Sequence, residues 1–161
     1  MYKSDPFIKQ ALALAEQNVA AGGRPFAAIV VKQGEVIATG VNRILQECDP
    51  TAHAELLALR AAGKALNATS LEGCSVYASG QPCPMCLAAM RMAGINHLVF
   101  AYSNQQAQPY GLSTAHIAME LTPPLEQQSW LSVEQCSPSD ANDSELYAKW
   151  AEHNASKQKV D

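Results

Sequence analysis

The sequence predicts an α/β fold, a three-layer α/β/α sandwich with a mixed, mostly parallel central sheet. Two observations carry that expectation. Segments with apolar residues at helical spacing alternate along the chain with short apolar runs of strand length. A length of 161 residues, 48% hydrophobic and 16% charged, is the size and composition of one folded domain. The expected organisation is a single domain over 1–161, with 155–161 a polar tail.

The first helix is expected from Asp5 to Ala21, where Phe7, Ile8, Ala11, Leu12, Ala15 and Val19 recur at helical spacing before Gly22-Gly23 stops the pattern. Phe26 to Val31 and Val36 to Thr39 are two strands joined through Lys32-Gln33-Gly34, an antiparallel hairpin. Asn42 to Cys48 is a connection. Asp49-Pro50-Thr51 then predicts a helix start, with Asp49 as N-cap and Pro50 in the first helical position, and the helix runs to about Lys64. Ser75 to Ser79 is a short strand, Pro84 to Ala93 a helix ended by Gly94, and His97 to Ala101 a further strand. Beyond Tyr102 the pattern weakens. A short helix is expected within Ser113 to Leu121, an edge strand at Leu131 to Cys136, and a terminal helix over Asp143 to Asn154 with Leu146, Tyr147 and Trp150 on its inner face.

A formal charge of -4 supplies no general basic field, which disfavours a nucleic-acid partner. Met1 to Gln10 carries Lys3, Asp5 and Lys9 where a secretion signal needs a continuous apolar run, and no segment is long and apolar enough to span a bilayer. A cytoplasmic location is the default that follows. In that setting the five cysteines are expected to be reduced thiols or metal ligands. Cys48, Cys74 and Cys136 stand alone and are expected as small buried or half-buried thiols.

Two motifs carry chemistry. In Pro82-Cys83-Pro84-Met85-Cys86, two thiols three residues apart sit at a strand-to-helix junction, where unpaired amides and the helix dipole favour thiolate. That spacing alone serves a redox centre as well as a metal site. Thr51-Ala52-His53-Ala54-Glu55 opens a second helix and offers the nitrogen ligand. At the carboxyl ends of the strands the two motifs converge, so His53, Cys83 and Cys86 make three ligands for one zinc ion per chain and leave a fourth position for water. Glu55, two residues beyond His53, is placed to act as a base without binding metal.

His-x-Glu followed by Pro-Cys-x-x-Cys resembles the signature of the zinc nucleobase and nucleoside deaminases, the cytidine and deoxycytidylate deaminase-like superfamily. Across roughly residues 5 to 101 the resemblance extends to the bacterial guanine deaminase branch, through Gly23-Arg24-Pro25-Phe26-Ala27-Ala28-Ile29-Val30 and Asp49-Pro50-Thr51-Ala52-His53-Ala54-Glu55, and more distantly to tRNA adenosine deaminases. It implies a cytidine-deaminase-like fold, Glu55 as general acid/base, Phe26 lining a base pocket, Asn42 bonding the ring edge, and the Ala54 amide facing substrate. It further implies a homodimer whose pocket is closed by a neighbouring subunit's aromatic residue. The stretch 155–161 holds no aromatic, which leaves Tyr147 or Trp150 for that part.

The sequence departs from the branch twice. Gln81 stands where many relatives have Glu, and Leu112-Ser113-Thr114 lacks the acidic residue that assists proton transfer in guanine deaminases. The expected activity is hydrolytic deamination of a free guanine-like purine, a pyrimidine or a triazine, with release of ammonia. Its rivals are deamination of adenosine in tRNA and, in another class, a non-catalytic zinc or redox module. His97, His116 and His153 have no partner motif and are expected as strand, helix and surface residues.

Overall fold

The computed structural model describes residues 5–136 and 145–157. The chain forms two compact units, Met1–Pro124 and Leu125–Asp161. In the first, α1 (Pro6–Ala20) starts as the sequence predicts, with Pro6 in its first turn and the Asp5 carboxylate accepting from Phe7 N at 2.8 Å. Strands β1 (Ala27–Lys32) and β2 (Glu35–Val41) form an antiparallel hairpin. Its two-residue turn has φ of 52° at Gln33 and 80° at Gly34, the left-handed pair that matches strand twist.

The next helix differs from expectation. The segment 42–48 contains a short helix, α2 (Ile44–Glu47), and α3 (Ala54–Leu66) begins with His53 as its N-cap. Asp49 caps a turn instead: its Oδ1 accepts from Thr51 N at 2.8 Å and Thr51 Oγ1 at 2.7 Å. The consequence is that His53 and Glu55 stand at the head of the helix. Strand β3 (Cys74–Gly80), α4 (Pro84–Met92) and β4 (His97–Tyr102) follow within a residue or two of the expected bounds.

The sheet order is β2-β1-β3-β4. β1 is antiparallel to both neighbours, and β3 pairs with β4 in parallel. Three of the four strands therefore point one way, with the reversed β1 inserted between β2 and β3, so the sheet is mixed and only one of its three pairings is parallel. The carboxyl ends of β2, β3 and β4 share one edge. Alternation along β1 sends Ala28 and Val30, with Val76 and Ala78 of β3, against Ala54, Ala58, Leu59 and Ala62 of α3 and Met90 of α4. Ile29 and Val31 pack on the other face with Ala11 of α1, beside Phe7, Leu14 and Tyr77. These are the three layers, and each fully buried Val or Ile contributes about 1.5–3 kcal/mol.

Helix α3 lies directly on β2. A Cβ on Gly40 would come within 2.6 Å of the Ala58 nitrogen and closer still to the Ala54 carbonyl oxygen. No side chain fits between the strand and the helix that starts the site.

After β4, α5 (Asn104–Ala107) opens with a capping box between Ser103 and Gln106, and α6 (Ala115–Glu120) occupies the span where a short helix is expected. In the second unit, Leu131–Cys136 forms no strand, which corrects that expectation: the stretch lies exposed and pairs with no strand among the described residues, so its backbone has no ladder to join. Helix α7 (Glu145–Lys157) runs three residues into the expected tail, and 158–161 and 143–144 lie outside the described residues. Leu146, Tyr147 and Trp150 are not inward: they are 76%, 75% and 68% exposed. Of the lone cysteines Cys74 is buried, whereas Cys48 and Cys136 are exposed.

Candidate active site

Two helix starts at the carboxyl edge of the sheet assemble the site. His53 is the N-cap of α3 and Cys83 the N-cap of α4, both with extended backbone, and neither caps its helix with its side chain. Both side chains are thereby free to turn toward each other. His53 Nδ1 lies 3.5 Å from Cys83 Sγ and 3.6 Å from Cys86 Sγ. All three donor atoms fall within 4.8 Å of one another.

That spacing fits zinc. Bonds of about 2.05 Å to nitrogen and about 2.3 Å to sulfur at a tetrahedral angle put N and S about 3.6 Å apart. His53 would bind through Nδ1. Cys86 is fully buried and could hold nothing but a group delivered to it by the fold, while Cys83 and His53 are half-buried and face the opening.

Glu55 sits in the first turn of α3 and is 7% exposed, with its Oε2 accepting from Cys86 Sγ at 3.5 Å. Burial pushes its carboxyl above the usual carboxylate range. Between the thiols, the hydrogen bond from Cys86 holds Cys83 low, helped by His53, and the same bond with burial pushes Cys86 up. Hydrogen bonding to Cys83 raises His53 against the opposing effect of burial. The three groups are a preformed ligand set in which the surroundings of Cys83 favour its thiolate.

A cavity of about 120 Å³ opens beside these groups, lined by His53, Glu55 and Cys83, by Phe26 and Asn42, and by the neutral polar Gln81 and Thr114, among others. Larger grooves of about 690, 640 and 490 Å³ on the first unit do not include His53 or Glu55, although the first shares Gln81 and Thr114 with the small cavity and the last shares Phe26 and Gln81. The small cavity is the one with the chemistry.

The structure brings the expected Phe26, Asn42, His53, Glu55 and Cys83 to one cavity, with Cys86 behind them. Ala54 is fully buried, 0% exposed, and does not line it. His116 is exposed on α6 and lies outside the cavity lining, and His97 stacks edge-on to Tyr77 at 6.4 Å between ring centroids.

Two wall residues acquire a physical account. Gln81 Oε1 accepts from Asn104 N at 3.0 Å, and Asn104 Oδ1 accepts from Thr114 N at 3.2 Å, a chain that ties the segment after β4 to the Cys83 loop. Thr114 Oγ1 is buried without a hydrogen-bond partner among the described residues. Arg24, exposed at the same cavity, also went unassigned, although it stands within the quoted Gly23 to Val30 stretch.

An open α/β edge with a His-Cys-Cys ligand set and a buried carboxyl defines a metal-dependent hydrolytic enzyme. Comparison with known proteins specifies it. The cytidine and deoxycytidylate deaminase zinc-binding region matches residues 1–102. The guanine deaminase of Bacillus subtilis (strain 168) is 40% identical over 126 residues, 78% of this chain and 81% of that protein. A crystal structure of guanine deaminase from Bacillus subtilis superposes with a TM-score of 0.81 at 36% identity, covering 94% of each chain. The tRNA-specific adenosine deaminase of Aquifex aeolicus (strain VF5) is 41% identical over 95 residues, 59% of this chain and 63% of that protein. A crystal structure of the protein NE0047 in complex with 2,6-diaminopurine gives a TM-score of 0.65 at 34% identity, covering 67% of this chain and 61% of that one. The chain belongs to the cytidine and deoxycytidylate deaminase family and is a zinc-binding hydrolytic deaminase acting on C–N bonds.

Proposed function

We propose that this deaminase acts on a free amino-bearing heterocycle of nucleobase size, with guanine-like purines the first class to test. The observation that carries this is the cavity beside the ligand set: about 120 Å³, bounded by Phe26 and Asn42, is space on the scale of one base. The likeness to the Bacillus subtilis guanine deaminase over 78% of the chain, and the base bound in the NE0047 structure, support the same class.

His53, Cys83 and Cys86 would hold the zinc ion, which supplies a water acidic enough to give up a proton near neutral pH. Glu55 takes that proton and passes it to a ring nitrogen as oxygen adds to the amino-bearing carbon; it then takes the proton left on that oxygen and gives it to the amine as the C–N bond breaks, so that ammonia leaves and a ring carbonyl remains. Its burial suits both roles, since a carboxyl raised above its usual range is a stronger base toward the water and holds the proton until it is delivered. Phe26 offers an apolar face to a flat ring, and the Asn42 side chain has donor and acceptor atoms for its edge.

The net charge of -4 gives little to bind a polynucleotide backbone. The test is kcat/KM on guanine, adenine, cytosine, isocytosine, an amino-triazine and tRNA, because discrimination is a difference in transition-state binding. A free base is expected to lead. A tRNA substrate that exceeds every base would refute the proposal and favour the activity of the Aquifex aeolicus relative.

A further inference from the structure

Asn18 lies on the buried face of α1 with Ala11 and Ala15, and is itself 9% exposed. An apolar residue would fill that face as well. What Asn18 adds is a donor group with both hydrogens committed: its Nδ2 donates to the Arg24 carbonyl at 2.7 Å and to the Asn42 carbonyl at 3.0 Å.

Those carbonyls belong to the two segments that wall the cavity, one carrying Arg24 and Phe26, the other Asn42. Asn42 N closes the brace by donating to Phe26 O at 3.0 Å. Gly23 passes over the same amide with no space to spare, since a Cβ there would fall 2.5 Å from Asn18 Nδ2, and Gly23 N donates to Asn18 O at 2.8 Å. Asn18 does not line the cavity, so any effect on substrate runs through Phe26 and Asn42.

We propose that Asn18 is a positioning residue whose amide fixes the separation of the Phe26 and Asn42 walls and thereby selects which ring the deaminase accepts. The proposal rests on the assignment of that cavity to the substrate. The Asn42 carbonyl is a buried acceptor, and a buried acceptor deprived of its donor moves toward another partner or stays unpaired at a cost, whereas the part-buried Arg24 carbonyl keeps a second donor in Phe26 N at 2.8 Å. Either response shifts a wall of a cavity of only about 120 Å³.

Asn18→Asp tests it, because the shape is kept while the donor becomes an acceptor facing two carbonyls. The zinc-loaded variant should keep one zinc per chain, raise KM for the substrate that wild type turns over best by about tenfold, the size expected of one hydrogen bond, and lower kcat by less than about threefold. The order of preference among guanine, adenine, cytosine, isocytosine and tRNA should change as well. Leu71→Ala, in the core away from this cavity, is the control for lost stability: it should lower Tm and leave KM and preference unchanged. If Asn18→Asp does not fold, Gly23→Ala carries the test, since it crowds the amide without removing a donor and should shift KM in the same direction. Wild-type KM and preference in the folded Asn18 or Gly23 variant would overturn the proposal, as would an equal KM shift in Leu71→Ala. Wild-type preference for tRNA would sink the free-base assignment, and the variant-to-wild-type ratio, measured on that tRNA, would still decide the clamp.

Discussion

Replacing Glu55 by glutamine removes one proton-accepting group and little else. The side chain keeps its length, its oxygen can still accept from Cys86 Sγ, and the substitution places a neutral group where burial already disfavours the charge. Fold and zinc content should therefore match wild type, with Tm within a few degrees. Activity should not. A positioned general acid or base typically contributes ~10²–10⁴-fold. In this cavity the other polar wall residues Asn42, Gln81, Ser113 and Thr114 cannot trade a proton near neutral pH, and His53 and Cys83 belong to the ligand set. All proton movements then fall to one carboxyl, which places the loss at the upper end, about 10⁴-fold or about 5 kcal/mol in the barrier. The assay is ammonia release per zinc-loaded site on the preferred base, with zinc measured on the same samples. A Glu55→Gln enzyme within tenfold of wild type at full zinc occupancy would refute this role for Glu55.

Other perturbations test the scaffold around it. Cys86→Ser and Cys83→Ser should each abolish stoichiometric zinc, seen by elemental analysis, and the loss at buried Cys86 should be accompanied by a lower Tm. Gly40→Ala forces a methyl group against the Ala54 and Ala58 backbone, so it should cost about 1–3 kcal/mol and weaken zinc retention, because α3 carries His53 and Glu55 at its head; denaturant unfolding and zinc release to a chelator measure the two effects. Leu146, Tyr147 and Trp150 leave an apolar stripe exposed on α7, and light scattering is expected to find a homodimer or larger assembly at assay concentration.

The convergence of His53, Glu55, Cys83 and Cys86 was legible because it follows from residue types at fixed spacing at two helix starts. The hairpin was legible for a similar reason, since Gln33-Gly34 demands a left-handed turn. The start of α3 was not. Asp-Pro-Thr satisfies an amide in a turn as readily as at an N-cap, and only the tertiary placement of α3 on β2, with His53 beside Cys83 and Cys86, decides where the helix begins. Strand direction was legible only in part. The Gln33-Gly34 turn carries the antiparallel β1-β2 pairing, but local sequence carries no signal that β1 lies between β2 and β3 and pairs antiparallel with β3 as well. Leu131 to Cys136 has the composition of an edge strand without a ladder to join. On α7, helical spacing identified an apolar stripe but could not say which side of it is covered.

The two departures from the guanine deaminase pattern gain their meaning from packing. Gln81 spends its carbonyl oxygen on Asn104 N, a bond a carboxylate could also make, so the change from acid to amide alters the charge of the wall and not its architecture. Asn104 in turn holds the Thr114 amide, which leaves a hydroxyl with no partner beside the cavity where the relatives' pattern calls for an acid. Both changes act in one direction: they remove negative charge and titratable protons from the lining of the cavity that Glu55 shares. A ring whose deamination needs a second carboxyl gains nothing from such a wall, whereas one that can be protonated and deprotonated by Glu55 alone loses nothing. The neighbouring guanidinium of Arg24 at the same cavity further favours an edge rich in acceptors over one rich in donors. On the proposed reading, the neutral wall at Gln81 and Thr114 and the brace at Asn18 govern substrate preference, while the reaction itself remains with the metal ligands and Glu55.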